Sequence, residues 1–359
     1  MQKKREQTNR ATEARADTPA ARRAAKRRQL NIFLVSLAVM AVLGIVGAFL
    51  YQTYAAPFRR PVMTVDNTVV RMGYFLKRAD MSGDPVSTLQ SLAQEQVIRL
   101  AAAELGLKVS KPDIDRAMRS VATNSAIDDF TAEAAAMTDA DFKEWYAQEL
   151  KTTGLSNAEY RDMIETGLMA AYIQEALGQN IPAQGEQVNL SVMVLSNSAD
   201  ADKAKSRINS GESFAAVASD VSLDTRTKES GGVVGWVPRG VLLPYDDIIF
   251  KLEAGQVSDA TPTNPSDPNN DQFLLFMVSE KAADRAIDEG AKQTLKSNVF
   301  SLWLDDEMSK HSIDYLLDED DQAWVEFQLA KSIERAGALI IRLNVDDLIH
   351  RRTNIVNGF

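Results

Sequence analysis

The sequence contains no cysteine, and its only histidines are His311 and His350. Without thiols there is no disulfide framework and no thiolate nucleophile or ligand. With both histidines beyond residue 310, a histidine-rich metal site and a Ser-His-Asp triad are excluded from the central part of the chain. The lack of cysteine agrees with an extracytoplasmic setting and with others. No internal repeat is present, and the basic, Ala-rich N-terminus is the only low-complexity tract. What remains is an ordinary globular composition, 45% apolar and 25% charged, in 359 residues. At about 150 residues per domain, that length accommodates two or three units.

Charge is also missing from one long stretch. No charged residue occurs from Leu30 to Phe58, and Ile32 to Tyr51 is almost wholly apolar. A helix of about 20 residues crosses a hydrocarbon core of about 30 Å. Residues 1–29 hold ten Lys/Arg against three acids, a net +7, which leaves −17 for the rest of the chain. The cluster Lys26-Arg27-Arg28 before the span places the N-terminus in the cytoplasm by the positive-inside rule, with Tyr51 and Tyr54 as interfacial aromatics. We read residues 1–29 as a basic cytoplasmic tail and 30–54 as a single-pass anchor, with everything after residue 58 exported. The alternative is a cleaved signal peptide with Ala55-Ala56 at its cleavage site, although its n-region and apolar run are longer than such signals have. A basic arm of this kind beside a membrane is topological, so no nucleic-acid partner is expected.

Beyond the span, Pro61 to Tyr74 places Val62, Thr64 and Val69-Val70 around an Asp66-Asn67 turn signal, which predicts a short hairpin. Four helical patterns follow. Leu89, Leu92, Ala93, Val97, Leu100 and Ala101 recur at helical spacing over 87–107. Ser110 caps a helix that has Pro112 and Asp113 in its first turn and continues to about Val121. Phe142, Trp145, Tyr146 and Leu150 share a face over 139–150. Ser156 and Glu159 form a capping box for a helix to about Leu177. These stripes are first of all core positions; Trp145 and Tyr146 are also candidates for a client groove. Gly178, Pro182 and Gly185 mark a linker. Helical spacing returns over 288–310 through Leu295, Val299, Leu302, Trp303 and Met308, and again over 318–330 through Trp324 and Phe327.

Between these helical regions lies a different pattern. Val188, Leu190, Val192 and Val194 alternate as in a strand. Helices are predicted over 198–208 and 212–218, a strand over 233–237, a Pro244-started helix to Leu252, and strands over 256–261 and 272–279. The loop 262–270 holds three prolines. Gly231-Gly232 and Gly235 are turn glycines rather than a phosphate cradle, because no Lys-Ser/Thr follows them.

Within this region the ordered series is more telling than any one motif: Phe214, Val217 and Ala218 on one helix face, Ser222-Leu223-Asp224, Gly231-Gly232, Gly235-Trp236, Arg239-Gly240, and a Pro-led helix ending at Phe250. It resembles the parvulin-type (PpiC-like) peptidyl-prolyl isomerase domain over 187–281. The 61–180 segment resembles SurA-like helical chaperone domains, whose Val-Asn-Gly opening is matched here without its glycine. The resemblance implies an α+β protein: transmembrane helix, helical domain 61–180, a β-α-α-β-α-β-β domain 187–281, and C-terminal helices 285–330 that pack back on the N-terminal ones. The tail 331–359 has no counterpart.

Prolyl isomerisation needs neither metal nor cofactor, only relief of an amide-resonance barrier of about 18–20 kcal/mol. By resemblance, Leu242, Tyr245 and Phe250 form the proline pocket, with Ser222 beside it, and Asp224 stands at the family's catalytic acid or thiol. The two family histidines are replaced by Val192 and Leu274. If their hydrogen bonds supply about 2–3 kcal/mol of transition-state stabilisation, activity falls about thirty- to two-hundredfold. An acid against Val192 and Leu274 is expected to have its pKa raised by desolvation. The loop Ser196-Asn197-Ser198 carries no basic residue, so no phosphate selectivity is implied. Two readings stay open: a membrane-anchored extracytoplasmic foldase with a weakened isomerase, and a non-catalytic chaperone or scaffold that keeps the fold. Both bind unfolded or extended exported polypeptides.

Overall fold

The computed structural model describes residues 19–264 and 272–334. The chain divides into two compact units, residues 1–90 with 313–359, and residues 91–312. Most of the basic tail, part of the proline-bearing loop and all but the start of the 331–359 tail lie outside the described residues.

In the first unit, helix α1 runs from Pro19 to Tyr54. Its Asn31–Tyr54 portion is long and apolar enough to cross a membrane and is nowhere buried by protein. Strands β1 (Pro61–Val65) and β2 (Thr68–Arg71) form the hairpin that the sequence predicts. Asp66 takes φ 49°, a left-handed conformation that Asp and Asn tolerate better than other side chains. Helix α2 (Met72–Ser82) follows, and α3 (Pro85–Glu104) starts in this unit. The C-terminal part of the chain completes it. Strand β7 (Ile313–Tyr315) pairs with the free edge of β1, giving the order β2-β1-β7. The helix α12, described over 319–334, carries Asp321, which pairs with Arg60 at 2.8 Å, and Trp324, whose ring meets Phe58 edge-on at 5.3 Å.

The second unit opens with the remainder of α3, where Leu92, Ala93, Val97 and Ala101 are buried at the predicted spacing. Helix α4 (Lys111–Ala122) is capped by the Ser110–Asp113 box. Helix α5 (Ala132–Ala136) is too short to show a period and was not foreseen. Next come α6 (Asp139–Thr153) and α7 (Asn157–Gly178), the latter with the Ser156–Glu159 box in place. Phe142, Trp145 and Tyr146 stack on one another and close over Tyr160, which is fully buried.

Strand β3 (Gln184–Leu195) leads into α8 (Ser198–Asn209), α9 (Phe214–Val221), β4 (Val233–Pro238), α10 (Asp246–Ile249), β5 (Thr261–Pro262) and β6 (Phe273–Ala286). The strands form one antiparallel sheet in the order β4-β3-β6-β5. Two expectations need correction. The helix from Pro244 to Leu252 is only the single turn α10, because the Asp246 carboxylate reaches back to the Gly240 N–H and fixes the preceding residues as a turn. The strand over 256–261 is broken into a bridge from Val257 to Met277 and the two residues of β5. Ser258 intervenes: its hydroxyl accepts from the Phe276 N–H and donates to the Asp259 carbonyl, while Pro262 brings no N–H to the ladder. Helix α11 (Glu289–Met308), capped by Asp288, then packs along α7. Lys296 pairs with Glu175 at 2.7 Å, and Gln174 donates to Ser297.

Period-2 alternation gives the four-stranded sheet two apolar faces. Met193, Leu195 and Leu275 face α8 and α9, where Ala201, Ala204, Phe214, Val217 and Ala218 complete a buried cluster. Val188, Leu190, Phe276 and Val278 point the other way, toward Val237, Ile249, Phe250 and Leu252 around α10.

Candidate functional site

The second face carries most of the residues that the sequence singles out. Val192 and Leu274 lie on the adjacent strands β3 and β6 and pack, half-buried, against the same cluster as Leu242 and Tyr245. Tyr245 sets its ring 5.3 Å from that of Phe276, and its hydroxyl donates to the Thr263 carbonyl at 2.6 Å. Burial raises the phenol's pKa, so it stays a neutral donor. Phe250 sits deeper. It is 5% exposed, and the Arg239 guanidinium lies over its ring at 4.2 Å while pairing with Glu186 at 2.7 Å. Phe250 is therefore part of the floor beneath Leu242 and Tyr245, and Arg239 is its cover.

Ser222 and Asp224 occupy the loop after α9, joined to the same strand from its end. The buried Ser222 hydroxyl accepts from the Val194 N–H at 3.2 Å, and the Leu223 N–H donates to the Val194 carbonyl at 2.8 Å. One turn on, the Gly232 carbonyl accepts from the Val192 N–H. Gly232 has φ 81°, and a Cβ there would stand 2.4 Å from the Val192 carbonyl oxygen, so the close approach requires glycine.

The Asp224 carboxylate looks into its own loop. It accepts from the Thr227 hydroxyl at 2.9 Å and from the Arg226 N–H and Nε at 3.1 and 3.3 Å. Its carbonyl accepts from the Lys228 N–H at 2.9 Å. The sequence led us to expect a raised pKa here, and the balance runs the other way. Burial does push the pKa up, but the hydrogen bonds from Thr227 and Arg226 and the Arg226 charge outweigh it, and the net shift is downward. Asp224 is thus an ionised, acceptor-only group that ties residues 224–228 together. Among the described residues no group of three or more His, Asp or Glu is placed to hold a metal ion.

Leu242, Tyr245, Phe250, Val192 and Leu274 thus meet in one apolar cluster, while Asp224 and Ser222 form a polar loop at its border. Sequence reasoning missed Thr227, Arg226 and Thr263. The D-x-x-T spacing of Asp224 and Thr227 was a usable signal, since Asp side chains readily bond backbone and hydroxyls two or three residues on. The Thr263 carbonyl had no local signal at all.

A family model described as "Rotamase: PPIC-type PPIASE domain" matches residues 196–265. Asp224, Ser222, Leu242, Tyr245 and Phe250 fall inside the matched span, and Val192 and Leu274 fall outside it. Foldase protein PrsA 3 of Bacillus cereus is 29% identical over 125 residues, 34% of this chain and 42% of that protein. Chaperone SurA of Methylococcus capsulatus is 29% identical over 134 residues, 37% of this chain and 27% of that one. The chain therefore spans less than half the length of these two curated relatives. The crystal structure of the peptidylprolyl isomerase PrsA from Bacillus anthracis is 20% identical, with 69% of this chain and 96% of that one covered and a TM-score of 0.39. With these matches the chain is shown to carry a PPIC-type PPIase domain and to have PrsA foldases and SurA chaperones among its homologues.

Proposed function

We propose that this protein is a membrane-anchored, exported foldase that holds extended, proline-containing polypeptides on its PPIC-type domain and isomerises them slowly. The observation that carries the reading is a division of labour at the site. An apolar surface built from Leu242, Tyr245, Val192 and Leu274 is half-open, whereas the Asp224 carboxylate in the loop beside it is engaged by Thr227 and Arg226. A proline ring gains from leaving water on such a surface without any polar partner. Rotation about its amide gains little, because Val and Leu offer no hydrogen bond where the family has histidines. Domain limits of 61–180 for the helical part, 187–281 for the isomerase and 285–330 for the C-terminal helices belong to the same proposal.

The second reading, client binding without catalysis, is favoured by the inward-looking Asp224 carboxylate. A protease-coupled prolyl isomerisation assay on the detergent-solubilised chain separates the two. We expect weak peptide binding, low turnover, and a gain when Val192→His and Leu274→His are combined. Wild-type turnover equal to that of a histidine-bearing parvulin would overturn the reading of a weakened site, and turnover indistinguishable from the uncatalysed rate would leave client binding alone.

The anchor supports the topology. The basic run Lys26-Arg27-Arg28 precedes a charge-free helix, so residues before it stay in the cytoplasm and the body of the chain is exported. External protease applied to spheroplasts should cleave within residues 59–334 and spare the N-terminal tail. The opposite pattern refutes the orientation, and a mature N-terminus near Ala56 would identify a signal peptide instead.

A further inference from the structure

The turn that feeds Leu242 and Tyr245 into the site is held from outside the PPIC-type segment. Residues 239–241 follow β4, and Gly240 adopts φ 95°. On one side the Gly240 N–H donates to the carboxylate of Asp246, which is 8% exposed. From the other side Asn298, on α11, donates its side-chain amide to the Gly240 carbonyl at 2.7 Å and to the Val241 carbonyl at 3.1 Å. Leu295, one turn earlier on α11, approaches so closely that a Cβ on Gly240 would stand 2.8 Å from its methyl. Beside these contacts the turn and α11 border a cavity of about 410 Å³, lined by Gly240, Leu243, Leu295, Asn298 and Leu302 among others, so the Asn298 bonds bridge the turn to α11 at the edge of a space that side chains do not fill. Immediately after this peptide, Val241 and Leu242 enter the apolar cluster, and the Tyr245 N–H closes onto the Leu242 carbonyl at 2.8 Å.

We propose that Asn298 is a positioning residue for the proline-binding surface: its amide fixes the Gly240–Val241 peptides and thereby sets where Leu242 and Tyr245 stand. One side-chain amide spanning two successive carbonyls defines the orientation of both peptide planes, which a single bond would not do. Leu242 lies one residue past the clamp and has no hydrogen-bonding side chain of its own to locate it. Helix α11 is itself tied to α7 through Lys296–Glu175, so the surface is referenced to the helical part of the chain rather than to its own sheet alone. This inference rests on the proposal that Leu242 and Tyr245 contact substrate.

The test uses the full chain in detergent and a fluorescent proline-containing tetrapeptide, read by equilibrium binding and by the KM and kcat of isomerisation. Asn298→Asp keeps the shape and removes the donor; peptide Kd and KM should rise about three- to tenfold while kcat stays within about twofold. Asn298→Gln keeps the donor and should recover most of the affinity. Ser297→Ala releases a contact between α11 and α7 without touching the clamp, and it should leave Kd and KM unchanged. Equal affinity in Asn298→Asp and wild type overturns the inference. So does an equal loss in Ser297→Ala, which would assign the effect to helix docking, and so does a loss in Asn298→Asp that Asn298→Gln shares in full. If the wild-type chain binds no proline peptide, the proposed function fails first and this inference falls with it.

Discussion

One face of the sheet β4-β3-β6-β5 is sealed by two regular helices, and the other by a single turn and irregular chain. Under α8 and α9, Met193, Val217, Ala218 and Leu275 are fully buried, with Ile208, Val221 and Phe273 partly covered at the margin. Arg207 locks the two helices together by bonds of 2.7 Å to both Glu212 and Asp220. Beneath α10, Val188, Leu190, Ile249, Phe276 and Val278 are buried, and the cluster's margin at Val192, Leu274, Leu242 and Tyr245 is partly covered. The contrast lies in what covers each face: two helices cross-tied by Arg207 on one, and on the other a turn whose place depends on the bonds of Asp246 and Asn298 to Gly240.

Truncations sharpen that contrast most. Phe214→Ala, on the sealed face, removes a 3% exposed ring and should cost about 3–5 kcal/mol in urea unfolding. Leu274→Ala, on the half-open face, should cost about 1–2 kcal/mol because part of its area already meets water. Equal losses would abolish the distinction. A smaller effect is expected from Tyr245→Phe, which keeps the ring but removes the hydroxyl's bond to the Thr263 carbonyl. About 0.5–1.5 kcal/mol should be lost, with the apolar contact to Phe276 preserved.

The two faces also differed in how far they were legible. Helical stripes at Leu92, Val97 and Ala101, capping boxes at Ser110 and Ser156, and strand alternation at Val188 to Val194 all concern local periodicity or caps, and they read directly. The α8–α9 face follows from such patterns. The half-open face depends on the turn at 239–245, on Ser258 interrupting a strand, and on Asn298 reaching in from 57 residues beyond Val241. None of these is periodic, and the last is set by how α11 packs, which no local window contains. Leu242, Tyr245 and Phe250 are singled out by the family resemblance rather than by any local pattern, and the fold brings them into one cluster. The lowered Asp224 pKa escapes the sequence because burial is foreseeable there, whereas the Thr227 and Arg226 partners that outweigh it are matters of loop geometry.

The smallest expected effect concerns that loop, where the sealed and half-open faces share a border. Asp224→Ala removes the acceptor of the Thr227 hydroxyl and the Arg226 N–H, and at pH 7 should cost about 0.5 kcal/mol. The folded carboxyl pKa is lowered, so this stabilisation is complete above the unfolded value of about 3.9 and is lost as the pH falls through the folded value. The difference in unfolding free energy between wild type and Asp224→Ala should therefore be flat from pH 7 to about pH 5 and shrink below about pH 4. Turnover should change by less than about tenfold across the same pair, since general acid–base help from a correctly placed group is worth about a hundredfold or more. A larger loss of turnover at unchanged stability would make Asp224 a catalytic acid or base rather than a loop cap. A stability difference that persists undiminished to pH 2 would mean that the neutral Asp224 side chain holds the loop as well as the ionised one does, against the lowered pKa.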